Sequence, residues 1–127
     1  MIQFTFLADE NCVSSGISGT IDSLSIANVF RQFTEDDPAP LFQTQIVSPD
    51  GKAVMANGGL TLQPDMSMEK VTDTDFIIIP AYLNPFGLTG TKYRNIGQWL
   101  QTHYRKGTKL ASTCTGTFLL ANTGLLD

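Results

Sequence analysis

The chain has 127 residues, 42% of them hydrophobic and 16% charged, enough apolar material for one packed domain and too much for a disordered segment. A formal charge of −4 leaves no basic patch with which this segment itself could grip a phosphate backbone. No apolar run approaches the ~20 residues that cross a bilayer, the N-terminus lacks the basic region of a signal peptide, and two cysteines cannot staple a secreted scaffold, so a reduced cytoplasmic location and no membrane partner are expected.

In chain order, residues 2–8 (IQFTFLA) alternate and then turn apolar, which predicts a first strand buried on both faces. Asp9-Glu10-Asn11 ends it. Ile17, Ile21, Leu24, Ile26, Ala27, Val29, Phe30 and Phe33 recur at three and four residues and predict an amphipathic helix from about 20 to 33, with Gly16 and Gly19 just ahead of it. The acidic stretch 34–40, with two prolines, reads as a turn. Residues 41–48 read as a strand closed by Pro49-Asp50-Gly51, and 53–62, broken by Asn57-Gly58-Gly59, as a small hairpin. Residues 63–74 are polar, with Met66, Met68 and Val71 tucked against the body.

Asp75-Phe76-Ile77-Ile78-Ile79-Pro80 is the strongest strand signal in the chain, a continuous apolar run of the kind found at the centre of a parallel sheet. A loop is expected over 81–91. A helix then runs over 92–106, with Tyr93, Ile96, Trp99, Leu100 and Tyr104 on one stripe, Trp99 as its core anchor, and Gly107 as its stop. His103, the single histidine, is expected on a solvated face. Met55, Met66 and Met68 read as gap-fillers. No His, Cys or carboxylate cluster has metal-ligand spacing, so neither a metal nor another cofactor is expected.

The stretch 109–127, KLASTCTGTFLLANTGLLD, opens as a strand, turns sharply at Ser112-Thr113-Cys114-Thr115-Gly116 and continues as an apolar helix. Small residues around Cys114 let the backbone bend hard, as a nucleophile elbow requires. There the helix dipole and unpaired N–H groups favour a thiolate. The plain alternative is an inert, buried thiol. Strand alternating with helix predicts an α/β fold with a parallel sheet and right-handed crossovers. Ligands of such sheets bind outside the carboxyl ends of the strands, where residues 9–12, 81–85 and Cys114 converge.

Several segments carry a family resemblance: Ser14-Ser15-Gly16, Asp22 with Ala27-Asn28, residues 47–51 (VSPDG), Gly59-Leu60-Thr61-Leu62, and above all 111–121 (ASTCTGTFLLA) with 123–127 (TGLLD). Together they resemble the ThiJ/PfpI, class I glutamine amidotransferase-like superfamily, and within it the N-terminal sensing domain of AraC-type transcriptional regulators. The resemblance implies one domain over 1–127, a three-layer α/β sandwich with a parallel flavodoxin-like sheet, truncated at its C-terminal side. It places Cys114 at the nucleophile position and the Thr115 and Gly116 amides where an oxyanion would be held. It also implies a homodimer, an unidentified small-molecule ligand, and DNA binding only through a domain absent from these residues.

Three departures from the enzymes bear on catalysis. The acidic residue they direct at the thiol falls here near Ser15-Gly16, with Asp9 and Glu10 shifted. Their Pro-Gly-Gly loop, which offers an N–H to the oxyanion, is Pro80-Ala81-Tyr82. Their partner histidine lies on a strand beyond the elbow helix, and His103 does not fill that role. Ligand contacts are therefore expected from Ala81, Tyr82, Cys12 and Glu10 around the Cys114 turn. A regulatory module leads. A cysteine-dependent amidase or isonitrile hydratase is the alternative, and a redox-sensing thiol is a third reading. The helix carrying Phe118, Leu119 and Leu120 is expected to need a cover, for instance a second copy of the chain.

Overall fold

The structure, a computed structural model, describes residues 1–36 and 39–127. Its elements in chain order are β1 (Ile2–Leu7), β2 (Cys12–Val13), α1 (Ser15–Thr34), β3 (Phe42–Ser48), β4 (Val54–Met55), β5 (Thr61–Leu62), β6 (Met66–Ser67), β7 (Phe76–Ile79), β8 (Ala81–Tyr82), α2 (Thr91–Arg105), β9 (Lys109–Ser112) and α3 (Gly116–Ala121). Part of the turn expected at 34–40 lies outside the described residues.

Five strands form one sheet in the order β6-β3-β1-β7-β9, and every pairing in it is parallel. Phe6 and Leu7 are both fully buried although neighbours on a strand point to opposite faces, so the sheet is covered on both sides. The chain leaves β1 towards β3 and later returns to build β7 and β9 on its other flank. Right-handed crossovers in these two directions place α1 and α2 on opposite faces. The strand order reverses between β1 and β7, where α/β sheets open a crevice.

The buried Thr5 hydroxyl within this core is paired. The Thr5 hydroxyl donates to Thr74 Oγ1 and accepts from Gln45 Nε2, both at 2.8 Å. On the opposite face, one position earlier on β1, Phe4 stacks on Phe76 with centroids 4.7 Å apart and meets Phe42 edge-on at 5.8 Å.

α1 begins earlier than the periodicity predicts, because Gly16 is inside it: a β-carbon there would come within 3.0 Å of Thr113 Oγ1. Its inner stripe is Ile17, Ile21 and Leu24. Asn28 ends that stripe as a clamp, accepting from the Leu41 and Phe42 amides at 3.0 Å and donating to the Phe42 carbonyl at 2.8 Å. Ile26, Val29, Phe30 and Phe33 form a second stripe at helical spacing and are left exposed, Phe33 by 83%. The sequence pattern merged the two stripes into one.

α2 buries Ile96, Trp99, Leu100 and His103. These fall at i, i+3, i+4 and i+7, and Tyr104, about 100° further round, faces solvent. The expectation of a solvated His103 is thereby corrected. It is 2% exposed, lies edge-on to Trp99 with centroids 5.2 Å apart, and its Nδ1 has no protein partner. α3 likewise buries Leu119 and Leu120 within the chain itself. Only Phe118 keeps an exposed face, tilted against Phe86 at 5.3 Å, so the apolar cover expected over 118–120 is already mostly supplied.

The hairpin expected over 53–62 is present as β4 against β5, with Gly58 and Gly59 at positive φ in its turn. The stretch expected to be a plain loop after β7 instead contains β8, which pairs antiparallel with β2 (Cys12 opposite Tyr82, Val13 opposite Ala81). This two-strand ribbon crosses the gap between the ends of β1 and β7.

Candidate functional site

The turn from β9 into α3 is built by backbone contacts with β7. Thr113 donates its amide to the Ile79 carbonyl at 3.0 Å, and Gly116 donates to Thr113 at 2.9 Å. Only glycine fits at 116, since an added β-carbon would overlap the Pro80 carbonyl oxygen. Between them Cys114 is held at φ 45, a left-handed conformation that a side chain adopts only when its surroundings enforce it. Its thiol is exposed, and its carbonyl accepts from Thr117 Oγ1 at 3.0 Å.

Thr115 then closes the turn onto the β7 loop. Its hydroxyl accepts from the Tyr82 amide at 2.9 Å and donates to the Tyr82 carbonyl at 2.6 Å. The Tyr82 amide, on the Pro80-Ala81-Tyr82 loop, is thus bonded to a side chain. The Gly116 amide is also committed, to Thr113.

Tyr82 points its side chain away from the Cys114 turn, although its backbone is tied to Thr115. It is 3% exposed and directs its ring away, donating its hydroxyl to Asp9 Oδ2 at 2.8 Å. Asp9, 1% exposed, uses its other oxygen to accept from the Glu10 amide at 2.8 Å and to pair with Lys92 Nζ at the start of α2. Burial, then the Asp9 charge, pushes the Tyr82 phenol far above its ordinary range, so it remains a hydrogen-bond donor. Burial alone would lower Lys92, but the hydrogen bond to Asp9 and its negative charge more than offset this and leave the ammonium above its usual value. Lys92 also lies 5.0 Å from the Tyr93 ring centroid.

The remaining expected residues fall around this network. Ala81 is buried in the β2–β8 ribbon. Cys12 is fully buried opposite Tyr82, and its thiol is pushed up chiefly by that burial, which makes it a packing group. Glu10 is exposed and accepts from the Met55 amide at 3.3 Å. A cavity of about 440 Å³ is lined by Asp9, Glu10, Lys52, Glu69, Lys92 and Asn95 among others. A second, of about 300 Å³, is lined by Glu10, Asn11, Tyr82, Asn84 and Tyr93 among others. Cys114 lines neither, so the thiol and the cavities are neighbours joined through Tyr82 and Thr115.

Sequence reasoning missed Asp9 and Lys92 as partners. Asp9 was read as the polar break that ends a strand, and nothing local ties it to a lysine on a distant helix. Its place at the carboxyl end of β1, whose last three residues are buried, was the available signal. His103 sits at the far end of α2 and is not brought near Cys114. Among the described residues no group of three His, Cys, Asp or Glu is arranged to hold a metal, and no helix is long and apolar enough to cross a membrane.

A parallel sheet reversing beside β1, with a cysteine on the strand-to-helix turn of its edge, defines a flavodoxin-like α/β domain. Residues 18–127 match the DJ-1/PfpI family, and the chain belongs to that family. It is similar to the HTH-type transcriptional regulator GbdR of Pseudomonas aeruginosa, 28% identical over 122 residues that make up 96% of this chain and 31% of GbdR. It is also similar to the HTH-type transcriptional regulator CdhR of the same organism, 28% identical over 124 residues, 98% of this chain and 34% of CdhR. The chain thus spans about a third of the length of these relatives. In fold it resembles a crystal structure of an AraC family transcriptional regulator from Pseudomonas putida, with a TM-score of 0.81 at 24% identity, covering 100% of this chain and 63% of that one.

Proposed function

We propose that this domain is the small-molecule-sensing part of an AraC-type transcriptional regulator, working in the cytoplasm, whose DNA contacts are made by a helix-turn-helix domain outside these residues. The alignment with GbdR and CdhR over nearly the whole chain supports the class. The observation that carries the choice of sensing over turnover is the Thr115 hydroxyl seated on the Tyr82 amide. That contact ties up a backbone donor that an acyl-transfer site would need free, and so favours binding over turnover at this turn.

On this reading the ligand is held by the loops after β1 and β7, with Glu10 and Tyr82 lining the site, Cys12 and Ala81 packed behind them in the β2–β8 ribbon, and Cys114, Thr115 and Gly116 forming the adjoining turn. A thermal-shift screen of small metabolites tests it. Saturable stabilisation that survives Cys114→Ser is expected, since a ligand bound to the native state alone stabilises by mass action. Cys114-dependent turnover of amides or isonitriles would overturn the proposal in favour of an enzyme.

The same reading includes a homodimer, and the exposed face of α1 is its surface. Ile26, Val29, Phe30 and Phe33 leave roughly 500 Å² of apolar area in one stripe, given about 150–250 Å² for an aromatic side chain. Two copies packed antiparallel would set Ile26 against Phe33 and Val29 against Phe30, hiding on the order of 1,000 Å², near the lower bound for a specific interface.

A further inference from the structure

We infer that Tyr82 and Thr115 form a latch that couples the charged cavity at Asp9 and Lys92 to the conformation of the Cys114 turn and α3. This rests on the sensing role proposed above and supplies the route by which occupancy of the cavity would be transmitted.

The connection is continuous and made of short bonds. Lys92, which lines the larger cavity, pairs with Asp9. Asp9 accepts from the Tyr82 hydroxyl at 2.8 Å. The Tyr82 backbone is held at both its amide and its carbonyl by Thr115 Oγ1. Thr115 is the residue immediately before α3, its hydroxyl spent on Tyr82 and not on the helix, and Gly116 behind it is pressed on the Pro80 carbonyl. Because both backbone groups of Tyr82 share one hydroxyl, and because glycine at 116 leaves no slack, Tyr82 cannot move without shifting the start of α3. Cys114, at φ 45, supplies the second condition for a switch: its conformation is imposed by its neighbours and relaxes when they let go.

The trigger lies at the other end. A charged group entering the cavity competes for either Lys92 or Asp9. Lys92 leaving Asp9 frees a carboxylate whose remaining partners are the Glu10 amide and the Tyr82 hydroxyl. Asp9 then turns towards the ligand or draws the Tyr82 ring after it. Either movement reaches Thr115 through the Tyr82 backbone.

The test needs no ligand, and so it is decided independently of whether the metabolite screen succeeds. Lys92→Met, Tyr82→Phe and Thr115→Val would each be made in the full chain, together with Lys92→Arg and Thr115→Ser, which keep the charge and the hydroxyl. The readouts are the rate at which iodoacetamide alkylates Cys114 and the amide exchange of residues 113–118, both resolved by peptide mass spectrometry. Lys92→Met and Tyr82→Phe are expected to change both by roughly fivefold or more, the scale of ordinary allosteric coupling, and the double variant Tyr82→Phe/Thr115→Val to do no more than the larger single change. Lys92→Arg and Thr115→Ser should stay near the parent. Circular dichroism confirms that each variant is folded, and Lys92→Met, at a partly exposed position, remains informative where a buried substitution unfolds. Effects of Lys92→Met and Tyr82→Phe confined to residues 9–13 and 80–84, with Cys114 alkylation unchanged, would overturn the latch. Additive effects in the double variant would do the same.

Discussion

Gly116 lies so close to Pro80 that a β-carbon on it would overlap the Pro80 carbonyl oxygen and stand 3.0 Å from that of Ile79. Both obstacles are backbone atoms at the carboxyl end of β7, an interior strand, and cannot swing aside. Gly116→Ala is therefore expected to cost at least the upper end of the roughly 1–3 kcal/mol typical of overpacking. Gly97, inside α2, is the contrast: a β-carbon there meets only Thr123 Cγ2, at 4.0 Å. Gly97→Ala should stabilise by about 0.5–1 kcal/mol through helix propensity. Urea unfolding of the two variants gives opposite shifts if this geometry is right, and a neutral Gly116→Ala would contradict it.

Asp9→Asn removes the anion that serves both Lys92 and Tyr82. Losing one member of a buried pair costs about 3–5 kcal/mol, and because Lys92 is 39% exposed the expected loss is smaller, about 2–3 kcal/mol. Tyr82→Phe, which removes one hydrogen bond and keeps the ring, should cost about 1 kcal/mol. Equal losses from the two substitutions would mean that the ion pair contributes nothing beyond the Tyr82 bond.

Burial, reinforced by the nearby Lys106 ammonium and opposed in part by Asp73, holds the His103 imidazole below its ordinary pKa. The unfolded chain therefore takes up this proton more readily than the folded one. The contribution of neutral His103 is fully present above the unfolded value near ~6.5 and is lost as the pH falls through the lower, folded value. Unfolding midpoints measured from about pH 8 down to about pH 5 should decline below that point, and the decline should be shallower in His103→Leu. An identical profile in the variant would assign the acid sensitivity to other groups.

Phe33→Glu places a charge opposite Ile26 at both ends of the antiparallel α1 pairing while touching nothing in the core. Sedimentation velocity should show a dimer for the parent chain and a monomer for the variant, with unchanged thermal stability at low concentration. A parent chain that is monomeric at every concentration would rule out the α1 face as a self-association surface.

The parts of the fold that were legible in the sequence are those with a long or uninterrupted signal. Phe76-Ile77-Ile78-Ile79 declared an interior strand because only a strand covered on both faces is uniformly apolar. The small residues around Cys114 declared the turn. By contrast β2 and β8, two residues each, carry no period at all and exist only because they meet each other across the sheet's mouth. The partnership of Asp9 with Lys92 was invisible for the same reason, being a product of topology. His103 was misplaced because neighbouring positions on a helix differ by about 100°, and Tyr104 looked like the better member of the apolar stripe. The role of Thr115 could not be read either, since a hydroxyl beside a turn declares nothing about which backbone groups it will satisfy.

The unequal settings of the two sulfurs turn the chain into its own counter of opening events. A chromogenic disulfide reagent should consume one equivalent per native molecule at Cys114 and a second only when β2 peels from β8 and uncovers Cys12. The lag between the first and second equivalents then times the breathing of the ribbon over the sheet's mouth.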